Sequence, residues 1–257
     1  SVFYRFLLAS MLLFAYCALR RLPLRFDRRQ HAWLALLGVL MFSVSYIFVY
    51  YAEENVVSGL VAVGYSASPL LGLLGMRVFF GTPMTRPLVA GAVLGMLGIT
   101  LVFWPEFAHL QGDRRTAIGA VHTAIAVIVS ALGAMVAHRN HAAKLPLWQT
   151  MAWGMLYGAL FSLAVTLATG KPLAFEATVP YVLSLLYLSV LGSIVAFAGY
   201  LTLLHRVGAA RAGYIGVMVP IVALVISSMF EQFRWHAVTI LGIGVTVAGN
   251  VIILRRK

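Results

Sequence analysis

The chain predicts an all-α polytopic membrane protein, an inverted repeat of five-helix units with nine spans present and the first helix of the first unit missing. Three observations predict it. Of 257 residues, 62% are hydrophobic and 10% charged, with a mean hydropathy of +0.95, whereas a soluble domain carries roughly 25% charged residues. The apolar residues fall in successive runs, each close to the ~20 residues that cross a bilayer core. Backbone groups in lipid must pair within their own segment, so these runs are helices, and the alternation of an outer-membrane barrel is absent. Finally, Pro69, Gly91 and Gly98 recur as Pro220, Gly242 and Gly249, each pair 151 residues apart. A proline inside a helix removes a donor and crowds the preceding turn. Two of them at matching places imply a duplicated fold.

Nine spans follow in order. Residues 2–19 form the first, and a basic loop, 20–30, follows it. Residues 32–52 form the second, ending at Glu53-Glu54-Asn55. The third, 56–79, contains Pro69, and the fourth is 87–104. A polar loop, 105–116, precedes the fifth, 117–137, and a basic loop, 138–144, follows it. Residues 147–169, 181–204, 212–230 and 237–254 complete the set before Arg255-Arg256-Lys257.

Cytoplasmic loops keep an excess of Lys and Arg. With the C-terminus inside, the inner loops hold 14 of the 19 basic residues, and the outer loops hold only Arg114, Arg115, Lys171 and Arg234. Arg5 lies near the outer end of the first span. The net charge of +12 is therefore distributed for a bilayer and not gathered on one face for nucleic acid. Cys17 stands alone, which excludes an intrachain disulfide.

The 151-residue register lays the first four spans on the sixth to ninth and leaves the fifth without a counterpart. The unit is thus five helices, divided as 1–104 and 117–257, and an upstream helix is expected before Ser1. An odd number of helices inverts the second copy. Inverted repeats are typical of secondary transporters, with the substrate path at the repeat interface.

Phe3-Tyr4-Arg5-Phe6-Leu7-Leu8-Ala9 resembles the opening of the second helix in EamA-like members of the drug/metabolite transporter superfamily. Pro69 followed by Gly91, Gly95 and Gly98 resembles the end of the first EamA repeat, and Pro220, Glu231, Gly242 and Gly249 that of the second. The resemblance implies ten helices in two inverted repeats, and outward movement of small metabolites, often amino acids, across the inner membrane. It implies no cofactor and no enzymatic activity.

Each candidate site residue has a bland reading beside it. No Asp or Glu lies deep in a span, so a carboxylate proton relay is not visible. His122 is the one histidine within a span, a proton-sensitive group or a neutral interfacial ring. Arg5 either attracts an anionic substrate group or snorkels to the headgroups, the simpler reading. Pro69 and Pro220 either open carbonyls to a cavity or mark kinks satisfied by the Ser66 or Ser68 hydroxyl. Tyr46 and Tyr65 line a path or belong to an aromatic belt. The expected substrate-binding set is Tyr46, Tyr65, Ser66, Pro69, His122, Ser193 and Pro220. Gly91-xxx-Gly95 and Gly154-xxx-Gly158 are faces for close helix packing. His138 and His141 are too few ligands for a metal site. No phosphate loop of an ATP-driven pump is present. The enzyme alternative is an intramembrane serine hydrolase using Ser66, in Gly64-Tyr65-Ser66, with His122 as base.

The charge pattern makes a topological prediction. A cysteine introduced in residues 20–30 should be shielded from an impermeant thiol reagent applied outside, and one in residues 105–116 should be labelled. The reverse accessibility would invert the orientation.

Overall fold

The computed structural model describes residues 2–56, 58–104, 114–170, 175, 178–212, 214–215, 217–219, 221–222 and 236–254. Every regular element among them is helical: α1 (Val2–Leu19), α2 (Arg28–Glu53), α3 (Ser58–Phe80), α4 (Arg86–Val102), α5 (Arg114–Ala142), α6 (Leu147–Ala168), α7 (Val179–Val207), the short α8 (Ala209–Ala212) and α9 (Ala237–Leu254). Six of them, α1–α3 and α5–α7, are long and apolar enough to cross a membrane; α4 and residues 237–249 of α9 form shorter apolar helices. The expected eighth span, 212–230, lies mostly outside the described residues.

Local chemistry moves several boundaries. Helix α2 begins at Arg28, earlier than the hydropathy implies, because Asp27 and Gln30 form a capping box: the Gln30 amide donates to Asp27 Oδ1 at 2.6 Å and the Asp27 amide to Gln30 Oε1 at 2.9 Å. Such a box satisfies two donors that the first turn would otherwise leave bare. Helix α5 runs straight through His138–Arg139–Asn140–His141, expected as a loop, and stops where Lys144 turns to a φ of 58°. At the end of α3, Gly81 adopts a φ of 67° and lets the Thr82 amide reach back to the Met76 carbonyl at 3.2 Å. That closure belongs to glycine, which has no Cβ to oppose it.

Three helices depart from α geometry inside their apolar runs. Helix α3 breaks at Ser66–Ala67 and restarts with Pro69 in its first turn, where a missing N–H costs nothing. Helix α2 carries a π segment at Leu40–Val44 and α7 one at Val190–Val195. Shifted by the 151-residue register, the first falls on residues 191–195, within the second.

The chain packs as two compact units, residues 1–47 with 132–206 and residues 48–131 with 207–257. Each draws segments from both halves of the sequence.

In the first unit, α1 and α2 pack on α6. Ser10 Oγ donates to the Ala152 carbonyl at 2.9 Å, and the Phe14 and Tyr16 rings meet Trp153 and Trp148. Gly38 lies so close to α6 that a Cβ there would strike the Gly154 carbonyl and come within 2.9 Å of the Gly158 amide nitrogen. The buried Ser43 and Ser162 hydroxyls bond at 2.6 Å across the same seam. Lipid gives two apolar helices no hydrophobic reason to associate, so close contact and shared hydroxyls supply the attraction.

In the second unit, α4 and α9 cross at glycine. A methyl on Gly98 would lie 2.7 Å from the Gly242 carbonyl oxygen, and one on Gly249 would lie 2.9 Å from that of Gly91. In the 151-residue register Gly242 is the counterpart of Gly91 and Gly249 that of Gly98, so the two contacts exchange when the halves are exchanged. Leu73, Ala92, Ile99, Val102, Tyr214, Val217 and Ile221 form the core beside this crossing.

Gly98→Ala and Gly242→Ala should each cost about 1–3 kcal/mol by overpacking, read as an earlier midpoint in detergent unfolding. Gly244→Ala, where nothing lies within 4 Å, should leave the midpoint unchanged or raise it. Equal behaviour of all three variants would contradict the crossing.

Candidate functional site

Two of the sequence-predicted residues, Tyr46 and Ser193, are brought to one place in the first unit, and Arg5 brings them there. Its Nε donates to Ser193 Oγ at 2.8 Å and its Nη2 to the Gly192 carbonyl at 2.8 Å. The guanidinium carbon sits 5.0 Å from the centroid of the Tyr46 ring and 5.3 Å from that of Phe6, within the range of cation–π attraction. The simpler reading of Arg5, snorkelling to the headgroups, is therefore corrected: the side chain turns inward onto α7. Phe6, Phe42 and Phe197 complete an aromatic wall, with Phe42 and Phe197 edge-to-face at 4.9 Å and Phe6 and Tyr46 edge-to-face at 5.1 Å.

The π segment of α7 explains why these groups find partners. A π turn interrupts the i→i−4 ladder, and such turns recur at functional sites. The Ser193 hydroxyl reaches back to the Leu188 carbonyl at 3.0 Å while accepting from Arg5. Ser189 Oγ donates to the carbonyl of Arg5 itself at 3.0 Å, so α1 and α7 are tied in both directions.

The remaining described candidates lie in the second unit. Tyr65 packs against the small cluster of Ala52, Val56 and Val61. Ser66 is fully buried, and its hydroxyl donates to the Val63 carbonyl at 2.6 Å. Pro69 is buried in the first turn of the restarted helix. The break before it is closed by tight turns, the Ser66 amide reaching Val63 and the Ala67 amide reaching Gly64, both at 3.1 Å. His122 lies beside Phe48 and Tyr51, each centroid 5.7 Å away, and its buried Nδ1 has no hydrogen-bond partner among the described residues. Pro220 and Gly216 lie outside the described residues.

The hydrolase alternative fails on this geometry. Ser66 spends its hydroxyl on its own helix, and His122 is enclosed by aromatic rings instead of bonding a serine. His138 and His141 sit on α5, and His141 stacks on His205 with centroids 3.8 Å apart. Among the described residues no group of three His, Cys, Asp or Glu could hold a metal.

Sequence reasoning missed Phe6, Phe42, Phe197 and Gly192. Phe42 had a signal: it lies four residues before Tyr46, the spacing that shares a helix face. The π turns had none, since a one-residue widening of the ladder leaves hydropathy untouched.

Membrane-length helices, hydroxyl-tied seams and a cation held among rings between apolar helices are the marks of a polytopic membrane protein. The chain belongs to the EamA-like transporter family, which it matches over residues 1–104 and 117–255. It is similar to the inner membrane transporter YedA of Escherichia coli K12, at 29% identity over 98% of this chain and 80% of that protein. It is similar also to Protein PecM of Dickeya dadantii, at 25% identity over 82% and 69%. A solved crystal structure of a protein shares the fold, with a TM-score of 0.81 at 16% identity, covering 98% of this chain and 85% of that one. The protein is a transporter and not an enzyme.

Ser66→Ala should cost about 1 kcal/mol, the net worth of one hydrogen bond, as a lower detergent-unfolding midpoint with insertion unchanged. A variant as stable as the wild type would remove the hydroxyl from the account of the kink.

Proposed function

We propose that the protein carries small metabolites, such as amino acids, outward across the inner membrane by alternating access, with its C-terminus in the cytoplasm. The observation that carries this reading is the double coincidence at 151 residues: the π segments of α2 and α7 fall in one register, and the Gly91–Gly249 and Gly98–Gly242 contacts exchange under it. Two inverted five-helix repeats, 1–104 and 117–257, account for both. Inverted repeats are the architecture by which secondary carriers expose one site to each side in turn. The names of YedA and its relatives support the membrane and the activity.

In this reading Tyr46 and Ser193 are substrate contacts, and Tyr65, Ser66, Pro69, His122 and Pro220 are the further candidates. Tyrosine gives a broad apolar face with one polar tip at little conformational cost, which suits a small metabolite that must be held briefly and released.

Flux of a metabolite panel in proteoliposomes holding the purified full chain tests the proposal. Tyr46→Ala and Tyr65→Ala should each reduce transport roughly tenfold, the loss of about 1.4 kcal/mol of contact, while membrane insertion stays normal. Wild-type flux no faster than that of empty liposomes would overturn the carrier reading. Full transport by both variants would remove the tyrosines from the path and leave the carrier standing.

A further inference from the structure

We propose that Arg5 is the anion-recognition point of this carrier, receiving the carboxylate of an organic monoanion whose apolar body lies against the partly exposed Tyr46 and Phe197 rings. The inference rests on the carrier reading and names the substrate class for it.

Depth comes first. Ser193, the partner of Arg5 Nε, is the central residue of Val179–Val207, 14 residues from either end. At 1.5 Å per residue that is about 21 Å from both ends. The guanidinium is therefore set against the middle of α7, reaching there from a backbone position three residues into α1. An ionisable group there is costly, and where it occurs it marks a substrate or ion pathway.

Charge comes next. Every described partner of Arg5 is neutral: a hydroxyl, a carbonyl and two ring faces. The described acids are Asp27, which caps α2, and Glu53 and Glu54, at its far end. Glu106, Asp113, Glu176 and Glu231 lie outside the described residues. A guanidinium carries five N–H donors in a fixed fork, and the contacts to Ser193 and Gly192 engage two of them. The donors left over suit the two oxygens of a carboxylate.

The surroundings narrow the ligand. One cation balances one negative charge, so a monoanion fits and a phosphate dianion leaves charge unmatched. The Tyr46 and Phe197 rings offer apolar contact beside that charge.

The test uses three probes of one shape: 3-phenylpropionate (anion), 3-phenylpropanamide (neutral) and 3-phenylpropylamine (cation). Binding to the purified full chain is measured by calorimetry at neutral pH. The wild type should bind the propionate at least tenfold more tightly than the amide or the amine. Arg5→Gln should bring the propionate down to the level of the amide and leave the amide within twofold of its wild-type value. Arg5→Lys, which keeps the charge and loses the fork, should fall between them. If Arg5→Gln does not fold, the charge preference is read on the wild type alone. A wild type with no preference for the propionate overturns the proposal, as does an Arg5→Gln variant that keeps that preference. Metabolite flux that persists in either case would leave the carrier reading intact.

Discussion

An apolar surrounding forbids an unpaired backbone group, and the architecture follows from that one prohibition. It makes every described element a helix. It also decides what happens where a helix cannot be regular. At the break before Pro69 the Ser66 hydroxyl and two tight turns supply partners. At the π segment of α7 the Ser193 hydroxyl and the Arg5 guanidinium do so. Along the regular helices Thr100, Thr123, Thr166 and Thr246 each return a hydroxyl to the carbonyl four residues earlier. Polar side chains in this protein thus serve both the regular ladder and the places where it is opened, and Ser66 and Ser193 among the candidate residues belong to the second kind.

The spans were legible because they depend on a sum. Twenty apolar residues in a row announce a membrane helix whatever their order, and α1 ends at Leu19, where the run of hydropathy does. The edges were less legible, because they turn on single residues. The Asp27–Gln30 box draws α2 four residues earlier than its apolar run, and the α5 helix continues through four polar residues that look like a loop. A helix already formed can continue through polar residues once its backbone bonds are propagating, and hydropathy is blind to that.

The site was half legible. Tyr46 and Ser193 stood out as polar groups inside apolar runs, and the structure gathers both on Arg5. The direction of Arg5 was not readable, since a sequence gives the position of a side chain along its own helix and not the neighbour it turns toward. The choice between the headgroup region and α7 is made by a carbonyl at Gly192 and a hydroxyl at Ser193, 187 and 188 residues away in sequence. Pro69 pointed to an irregular third helix, and the irregularity is a restart closed by its own hydrogen bonds.

The glycine crossing of α4 and α9 has a mechanical consequence. Backbone touches backbone at two places, and the neighbouring positions carry side chains such as Leu94, Leu97 and Ile243. Sliding one helix along the other by a single residue would drive one of those side chains into a carbonyl. Rotation is opposed as well, because the two contacts lie seven residues apart on each helix, about 10 Å at 1.5 Å per residue, and turning about one would part or crowd the other. The pair is therefore pinned at two points, which fixes register and crossing angle together, and α4 and α9 move as one piece.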